Sequence, residues 1–118
     1  MDLYAESILD HYRNPRGKTL QSNEEFSTAS NPACGDEISV HTDTKDGVVR
    51  KIIWHGTGCA ISQAAVSMLV EEFTGKTTQE LLAYTKDDML SLLNVPIGPR
   101  RLKCALLGLE ALQNACQK

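Results

Sequence analysis

The sequence contains no Cys-x-x-Cys pair, although four cysteines occur among its 118 residues. Such pairs are typical of zinc fingers and of thioredoxin-like redox sites, so both classes are disfavoured. The sequence also has no uninterrupted apolar stretch of membrane-spanning length, and its first residues lack the basic and then apolar pattern of an export signal. We therefore expect a cytoplasmic protein with no membrane partner, whose cysteines are reduced thiols or metal ligands.

Other functional classes are disfavoured by features that are missing. The formal net charge of −3 gives no support to a nucleic-acid partner. No arrangement of serine, histidine and aspartate and no phosphate-binding glycine loop rises above chance. Hydrophobic residues make up 42% and charged residues 23%, which are ordinary values for a globular protein. Because no linker, repeat or low-complexity segment interrupts the chain, we expect a single domain over residues 1–118.

The spacing of apolar residues predicts one helix, then a small sheet, then only helices. Lys45-Asp46-Gly47 supplies a turn between two β-rich runs and predicts a hairpin, whose second strand we expect Gly56-Thr57-Gly58 to break. The expected helices cover residues 2–13, 60–74, 77–84, 87–93 and 99 or 100 to 114, and the expected strands cover residues 37–43 and 48–54, with a short strand near 26–29. This order favours an α+β fold, a small antiparallel three-stranded sheet with helices packed on one face.

Cys34 and Asp36 form the first candidate for a chemical site. Gly35 between them permits a tight turn, in which a thiolate and a carboxylate can point at one ion. Zinc accepts both kinds of donor. The alternative is a buried cysteine followed by a turn aspartate, since Asn31-Pro32 and Gly35-Asp36 are also ordinary turn residues.

Cys59 and Cys104 are the other candidates. Cys59 follows a predicted strand and opens a predicted helix, where backbone N–H groups stabilise a thiolate. Cys104 lies near the start of the last helix, beside basic residues that also favour a thiolate. A small apolar residue at a strand–helix junction and a core helical cysteine are the respective alternatives. His55 precedes Cys59 closely enough to approach it, although an ordinary strand-end histidine is the favoured interpretation. Cys116 turns about 120° away from Cys104 around a helix and is expected to have no role in the site.

Taken together, the motifs resemble the IscU/SufU family of iron–sulfur cluster assembly proteins, also called NifU N-terminal-like scaffolds. The resemblance covers nearly the whole chain in order. It rests on Tyr4, His11-Tyr12-Arg13-Asn14-Pro15-Arg16, Asn31-Pro32-Ala33-Cys34-Gly35-Asp36, Gly58-Cys59-Ala60-Ile61-Ser62, Gly75-Lys76 and Lys103-Cys104-Ala105.

The resemblance implies a function, ligands and partners. It implies that Cys34, Asp36, Cys59 and Cys104 hold Zn²⁺ or a transient iron/[2Fe–2S] cluster, and that the three cysteines are candidate persulfide acceptors. The implied partners are a cysteine desulfurase, which supplies sulfur, and apo iron–sulfur acceptor or carrier proteins, which receive a cluster. The implied function is assembly and transfer of a [2Fe–2S] cluster on a scaffold.

The chain mixes features of the two branches of that family. IscU-type scaffolds have histidine just before the third cysteine, whereas Lys103 stands there, as in the SufU type. The IscU-type chaperone motif Leu-Pro-Pro-Val-Lys is replaced by Ile97-Gly98-Pro99-Arg100-Arg101. The short spacing between Cys59 and Cys104, in contrast, is IscU-like, since SufU proteins usually carry an insertion there. A SufU-type zinc-dependent sulfurtransferase without a stable cluster, and a small domain with purely structural zinc, are therefore the alternatives.

Overall fold

The order of helices and strands follows the pattern expected from the sequence. The computed structural model describes residues 3–19, 25–32 and 35–117 of the chain. The elements in chain order are α1 (Leu3–Arg13), β1 (Ser27–Asn31), β2 (Asp36–Lys45), β3 (Val48–Thr57), α2 (Ala60–Phe73), α3 (Thr78–Leu82), α4 (Lys86–Leu93) and α5 (Pro99–Gln117). None of the described helices combines the length and the apolar character needed to span a bilayer.

The three strands form one antiparallel sheet in the order β1-β2-β3. Asp46 and Gly47 join β2 to β3 with φ values of 55° and 76°, and two such left-handed residues make the turn whose twist matches a hairpin. This confirms the predicted hairpin. At the other end of β2, Asp36 pairs with Asn31 of β1, so the short turn between these two strands holds Asp36 at the sheet end.

Strand β3 is longer than the predicted residues 48–54, and it ends within the Gly56-Thr57-Gly58 segment that was expected to break it. The strand continues to Thr57, with Gly56 paired to Ile38 of β2. A Cβ atom at residue 56 would collide with the backbone carbonyl oxygen of Glu37 on the neighbouring strand. The glycine therefore permits close strand pairing, and the chain leaves the sheet only at Gly58.

The core lies between one face of the sheet and the two long helices. Ile38, Val40 and Trp54 project from the sheet and are completely buried, and Leu69 of α2 and Leu112 of α5 are buried in the same core. Helix α5 packs on β1 and β2, α2 packs on β3 and on α5, and α1 packs on α2. This confirms the α+β prediction of a three-stranded sheet with helices on one face.

Capping residues begin the two short helices. Thr77 accepts a hydrogen bond from the backbone N–H of Glu80, whose side chain accepts one from the N–H of Thr77, which confirms the predicted capping box. Thr85 and Asp88 form a second box at the start of α4. These helices lead the chain back towards the start of α5, which carries Cys104.

Candidate metal centre

Asp36 enters the centre from the first residue of β2. Its side chain is buried, with 5% of its surface exposed, although a carboxylate is costly to remove from water without polar partners. The turn before it is closed by a 2.9 Å hydrogen bond from the backbone N–H of Gly35 to the carbonyl oxygen of Asn31. The pairing of β2 with β1 therefore holds Asp36 in its buried position. Its carboxylate provides an oxygen donor beneath the helices.

Cys59 caps the N-terminus of α2, as the sequence predicted. Its backbone is extended, with φ −71° and ψ 171°, and its carbonyl oxygen accepts the first helical hydrogen bond, from Gln63, at 3.2 Å. The thiol is half-buried. The first-turn N–H groups of α2 give this position a positive electrostatic potential, which is suited to holding an anionic group.

Cys104 completes the described group from the second turn of α5. Its thiol is buried, with 3% of its surface exposed. One carboxylate oxygen of Asp36 and the sulfur atoms of Cys59 and Cys104 all lie within 4.8 Å of one another. The described part of the chain contains no other group of three histidine, cysteine or acidic side chains that converges in this way.

Of the four predicted ligands, three are brought together by the fold. The fourth, Cys34, lies outside the described residues. Its role as a ligand stays a prediction.

Ser62 is a member of this centre whose role the sequence did not indicate. Its hydroxyl group donates a 3.0 Å hydrogen bond to Oδ2 of Asp36, and its oxygen lies 3.5 Å from the sulfur of Cys59. The side chain is completely buried. The available signal was weak, because a serine three residues into a helix is also an ordinary surface or capping residue.

Gln63 and Lys18 hold the loop that carries Cys59. The side-chain amide of Gln63 donates to the carbonyl oxygen of Gly58 at 2.9 Å, and its own oxygen accepts from Nζ of Lys18 at 2.8 Å. Lys18 lies over the ring of Trp54, 5.3 Å from its centroid. The loop before α2 is thus tied to the segment that follows α1, and this fixes the direction from which Cys59 approaches.

Cys116 lies away from the centre, as predicted. It contacts the Thr42 hydroxyl at 3.9 Å, six residues along β2 from Asp36, or roughly 20 Å along a strand. Burial raises the pKa of the Cys116 thiol.

His55 is an ordinary strand-end histidine, as the sequence favoured, since its ring packs edge-on against the ring of Phe26, with centroids 4.6 Å apart. It is not part of the convergent group.

His11 forms a second buried polar cluster, outside the metal centre. Its Nδ1 atom lies 2.7 Å from the hydroxyl oxygen of Ser67, which also accepts a 2.8 Å hydrogen bond from the backbone N–H of Arg16. Burial is the main cause that lowers the pKa of His11, and the nearby Arg16 charge lowers it further against the opposite effect of Glu71. This cluster attaches α1 to α2.

Comparison with known protein families shows which family this chain belongs to. The family model described as the NifU-like N terminal domain matches residues 3–118. The chain belongs to this family. This chain is 31% identical to the zinc-dependent sulfurtransferase SufU of Bacillus subtilis, and the match covers 98% of this chain and 90% of the relative. It is also 31% identical to the iron–sulfur cluster assembly scaffold protein IscU of Thermotoga maritima, with 98% and 94% covered.

A solved structure supports the fold alone. The N-terminal part of a nitrogen-fixing NifU-like protein from Brucella abortus superimposes with a TM-score of 0.78 at 24% identity, and the match covers 98% of this NifU-like chain and 92% of that one. Both sequence alignments extend over more positions than the 118 residues of this chain, 133 for SufU and 134 for IscU.

The donor set fits both zinc and an iron–sulfur cluster. Thiolates bound tetrahedrally to zinc at about 2.3 Å lie roughly 3.8 Å apart, so the described group needs a contraction of at most about 1 Å to close on an ion. Three thiolates, if Cys34 joins, and one carboxylate give soft and hard donors together, which borderline zinc accepts. The half-buried Cys59 leaves one side of the centre accessible, unlike a closed structural site.

Proposed function

We propose that this protein functions in iron–sulfur cluster assembly, accepting persulfide sulfur from a cysteine desulfurase and building a [2Fe–2S] cluster that it passes to apo-proteins. The observation that carries the proposal is the convergence of Asp36, Cys59 and Cys104 within 4.8 Å in a chain of the NifU-like family. The proposed ligand set is these three residues and Cys34.

Sulfur transfer to this centre is chemically balanced without any further reagent. A thiolate attacks the outer sulfur of the desulfurase persulfide, a new S–S bond forms, the old S–S bond breaks, and the desulfurase cysteine leaves as a thiolate. Of the two described thiols of the centre, Cys59 is half-buried and Cys104 is almost completely buried, so an incoming persulfide reaches Cys59 more easily. The position of Cys59 at the N-terminus of α2 stabilises the anionic product.

Cluster assembly makes one additional demand. A bridging sulfide is more reduced, by two electrons, than the outer sulfur of a persulfide, so a cluster forms only when ferrous iron and an electron donor are supplied. Asp36 is the single hard ligand in the proposed set, and an oxygen donor is a weaker ligand for a cluster than a thiolate. A cluster held in this way is suited to transfer.

A second candidate function is zinc-dependent sulfur transfer without a stable cluster. Two observations favour it: the donor set suits zinc, and a relative named as a zinc-dependent sulfurtransferase is 31% identical over nearly the whole chain. Members of this family generally work with a cysteine desulfurase, and we propose such an enzyme as the partner in both cases. The apo iron–sulfur acceptor proteins are partners only in the first.

An anaerobic incubation with a cysteine desulfurase and cysteine tests both functions. Mass spectrometry reports persulfide on the chain, and visible absorption reports a cluster once ferrous iron and a thiol reductant are added. A persulfide followed by cluster absorption supports the scaffold, whereas a persulfide with zinc retained and no cluster supports the sulfurtransferase. Zinc with no persulfide under either condition would contradict both and leave a structural zinc site.

Cysteine substitutions identify the residues in the same assay. Cys34→Ser, Cys59→Ser and Cys104→Ser are each expected to lower the zinc or cluster content, because each removes one thiolate from a four-ligand set. Cys116→Ser is the matched control, since it changes the same atom on the same helix as Cys104 but far from the centre. Unchanged metal content in all three test variants would refute the ligand set.

A further inference from the structure

The Ser62 hydroxyl lies between two of the proposed ligands. It is 3.0 Å from Oδ2 of Asp36 and 3.5 Å from the sulfur of Cys59, and its side chain is completely buried in the first turn of α2. The same oxygen is 3.2 Å from the carbonyl oxygen of Cys59. A hydroxyl group has one proton to donate, and the carboxylate is both the nearer and the stronger acceptor.

We propose that Ser62 is a positioning residue for the metal centre, holding one oxygen of Asp36 so that the other is directed to the ion. This inference rests on one part of the proposed function, the role of Asp36 as a ligand. Metal-binding carboxylates are commonly oriented by hydrogen bonds to the atoms that do not bind the metal, and losing such a bond typically lowers metal affinity by about 10–100-fold.

The surrounding packing leaves room for the contact between Ser62 and Asp36 because residue 58 is glycine. A Cβ atom on Gly58 would lie 2.5 Å from the Ser62 oxygen and 3.1 Å from Cγ of Asp36. Glycine at residue 58 therefore leaves the space in which the hydroxyl group and the carboxylate meet. Ser62 reaches this space because Cys59 caps α2, which places residue 62 one helical turn after the ligand.

The test compares the zinc affinity of Ser62→Ala with that of Ser67→Ala, measured by competition with a chromogenic chelator. Ser67 is an equally buried serine on the same helix, but it bonds to His11 and to the backbone of Arg16 instead of to a proposed ligand. Ser62→Ala is expected to lower zinc affinity by about 10–100-fold, whereas Ser67→Ala is expected to leave it unchanged. Equal affinities for Ser62→Ala and the unmodified chain would overturn the proposal.

A second comparison shows whether Ser62 acts through Asp36. In an Asp36→Ala background there is no carboxylate to position, so adding Ser62→Ala is expected to change zinc affinity by less than about twofold. The same 10–100-fold loss in that background would overturn the proposal, because Ser62 would then act on the ion or on Cys59 directly. Circular dichroism checks that each variant is folded.

Folding failure is also informative. If Ser62→Ala did not fold but the double variant Ser62→Ala/Asp36→Ala did, the unpaired carboxylate of Asp36 would be the cause of the failure. This result would support the proposed interaction between Ser62 and Asp36. Failure of both variants to fold would overturn it. The persulfide assay tests the proposed function separately. If zinc affinity depended on Ser62 but no persulfide formed on the chain, the proposed function would be refuted and the positioning role of Ser62 would be supported.

Discussion

Adding one methyl group at Gly58 is expected to damage the metal centre more than the fold. A Cβ atom at residue 58 would lie 2.5 Å from the Ser62 oxygen, 3.1 Å from Cγ of Asp36 and 3.3 Å from its Oδ1. The φ angle of Gly58 is not in the left-handed region, so Gly58→Ala introduces this crowding without backbone strain.

The magnitude follows from the distances. Ordinary contact begins at 3.4 Å, so the Ser62 oxygen must move by roughly 1 Å. The least costly movement is a rotation of the Ser62 side chain, which breaks the 3.0 Å hydrogen bond to Asp36. Losing a hydrogen bond to a carboxylate costs about 1.5–3 kcal/mol, and the released carboxylate is then free to turn away from the ion. We expect zinc affinity to fall by about 10–100-fold, the range typical of losing a hydrogen bond that orients a metal ligand.

The assay is the chelator competition, with Gly98→Ala as the matched control. Gly98 also lacks a left-handed φ, and a Cβ there would meet nothing within 4 Å. Gly98→Ala is expected to keep full zinc affinity and to lower the free energy of unfolding by no more than about 1 kcal/mol, because the carbonyl oxygen of Gly98 accepts the first hydrogen bonds of α5 and alanine is less favourable than glycine at such a position. Full zinc affinity in Gly58→Ala would refute the reasoning, because the methyl group would then have been accommodated without moving Ser62 or Asp36.

Three further predictions concern parts of the molecule outside the centre. Because the pKa of His11 is lowered in the folded chain, the unfolded chain binds more protons below about pH 6.5. The free energy of unfolding of the metal-free protein, measured in urea, should therefore fall as the pH is lowered from 7.5 to 5.5. His11→Gln should make this free energy depend less on pH. Gly108→Ala places a Cβ 2.8 Å from Cβ and 3.1 Å from Cα of Val66 and should lower the free energy of unfolding by about 1–3 kcal/mol in urea unfolding; an unchanged free energy of unfolding would contradict this contact. Cys116→Ser should leave both zinc content and persulfide formation unchanged, and a large loss of either would mean that Cys116 belongs to the site.

Local features of the fold could be predicted from the sequence because they depend on neighbouring residues. Asp46-Gly47 adopts the left-handed angles of a hairpin turn, Thr77 and Glu80 cap each other, and Cys59 stands where a strand gives way to a helix. Each is a preference of a few consecutive residues. The extension of β3 beyond Trp54 was not predicted for the same reason, since Gly56 permits the close approach of the neighbouring strand at Glu37, which the local sequence does not contain.

The residue types of the candidate site could be predicted from the sequence, but their arrangement in space could not. Cysteines and an aspartate in glycine-flanked settings indicated a metal centre, and the family resemblance selected Cys34, Asp36, Cys59 and Cys104 from the alternatives. The local pattern around Ser62 equally suits an ordinary helical serine, so its contact with Asp36 had only a weak signal in the sequence.

The sequence by itself determined the elements, the turns and the donor chemistry of this protein, because backbone preferences and side-chain donors are properties of short segments. Only the tertiary structure decided that Asp36, Cys59 and Cys104 meet, since they come from a strand end and from two helices that are distant in the chain. That meeting depends on the packing of α5 on α2, where Gly108 lies against Val66. Long-range packing of this kind depends on shape complementarity between surfaces, which no single segment contains.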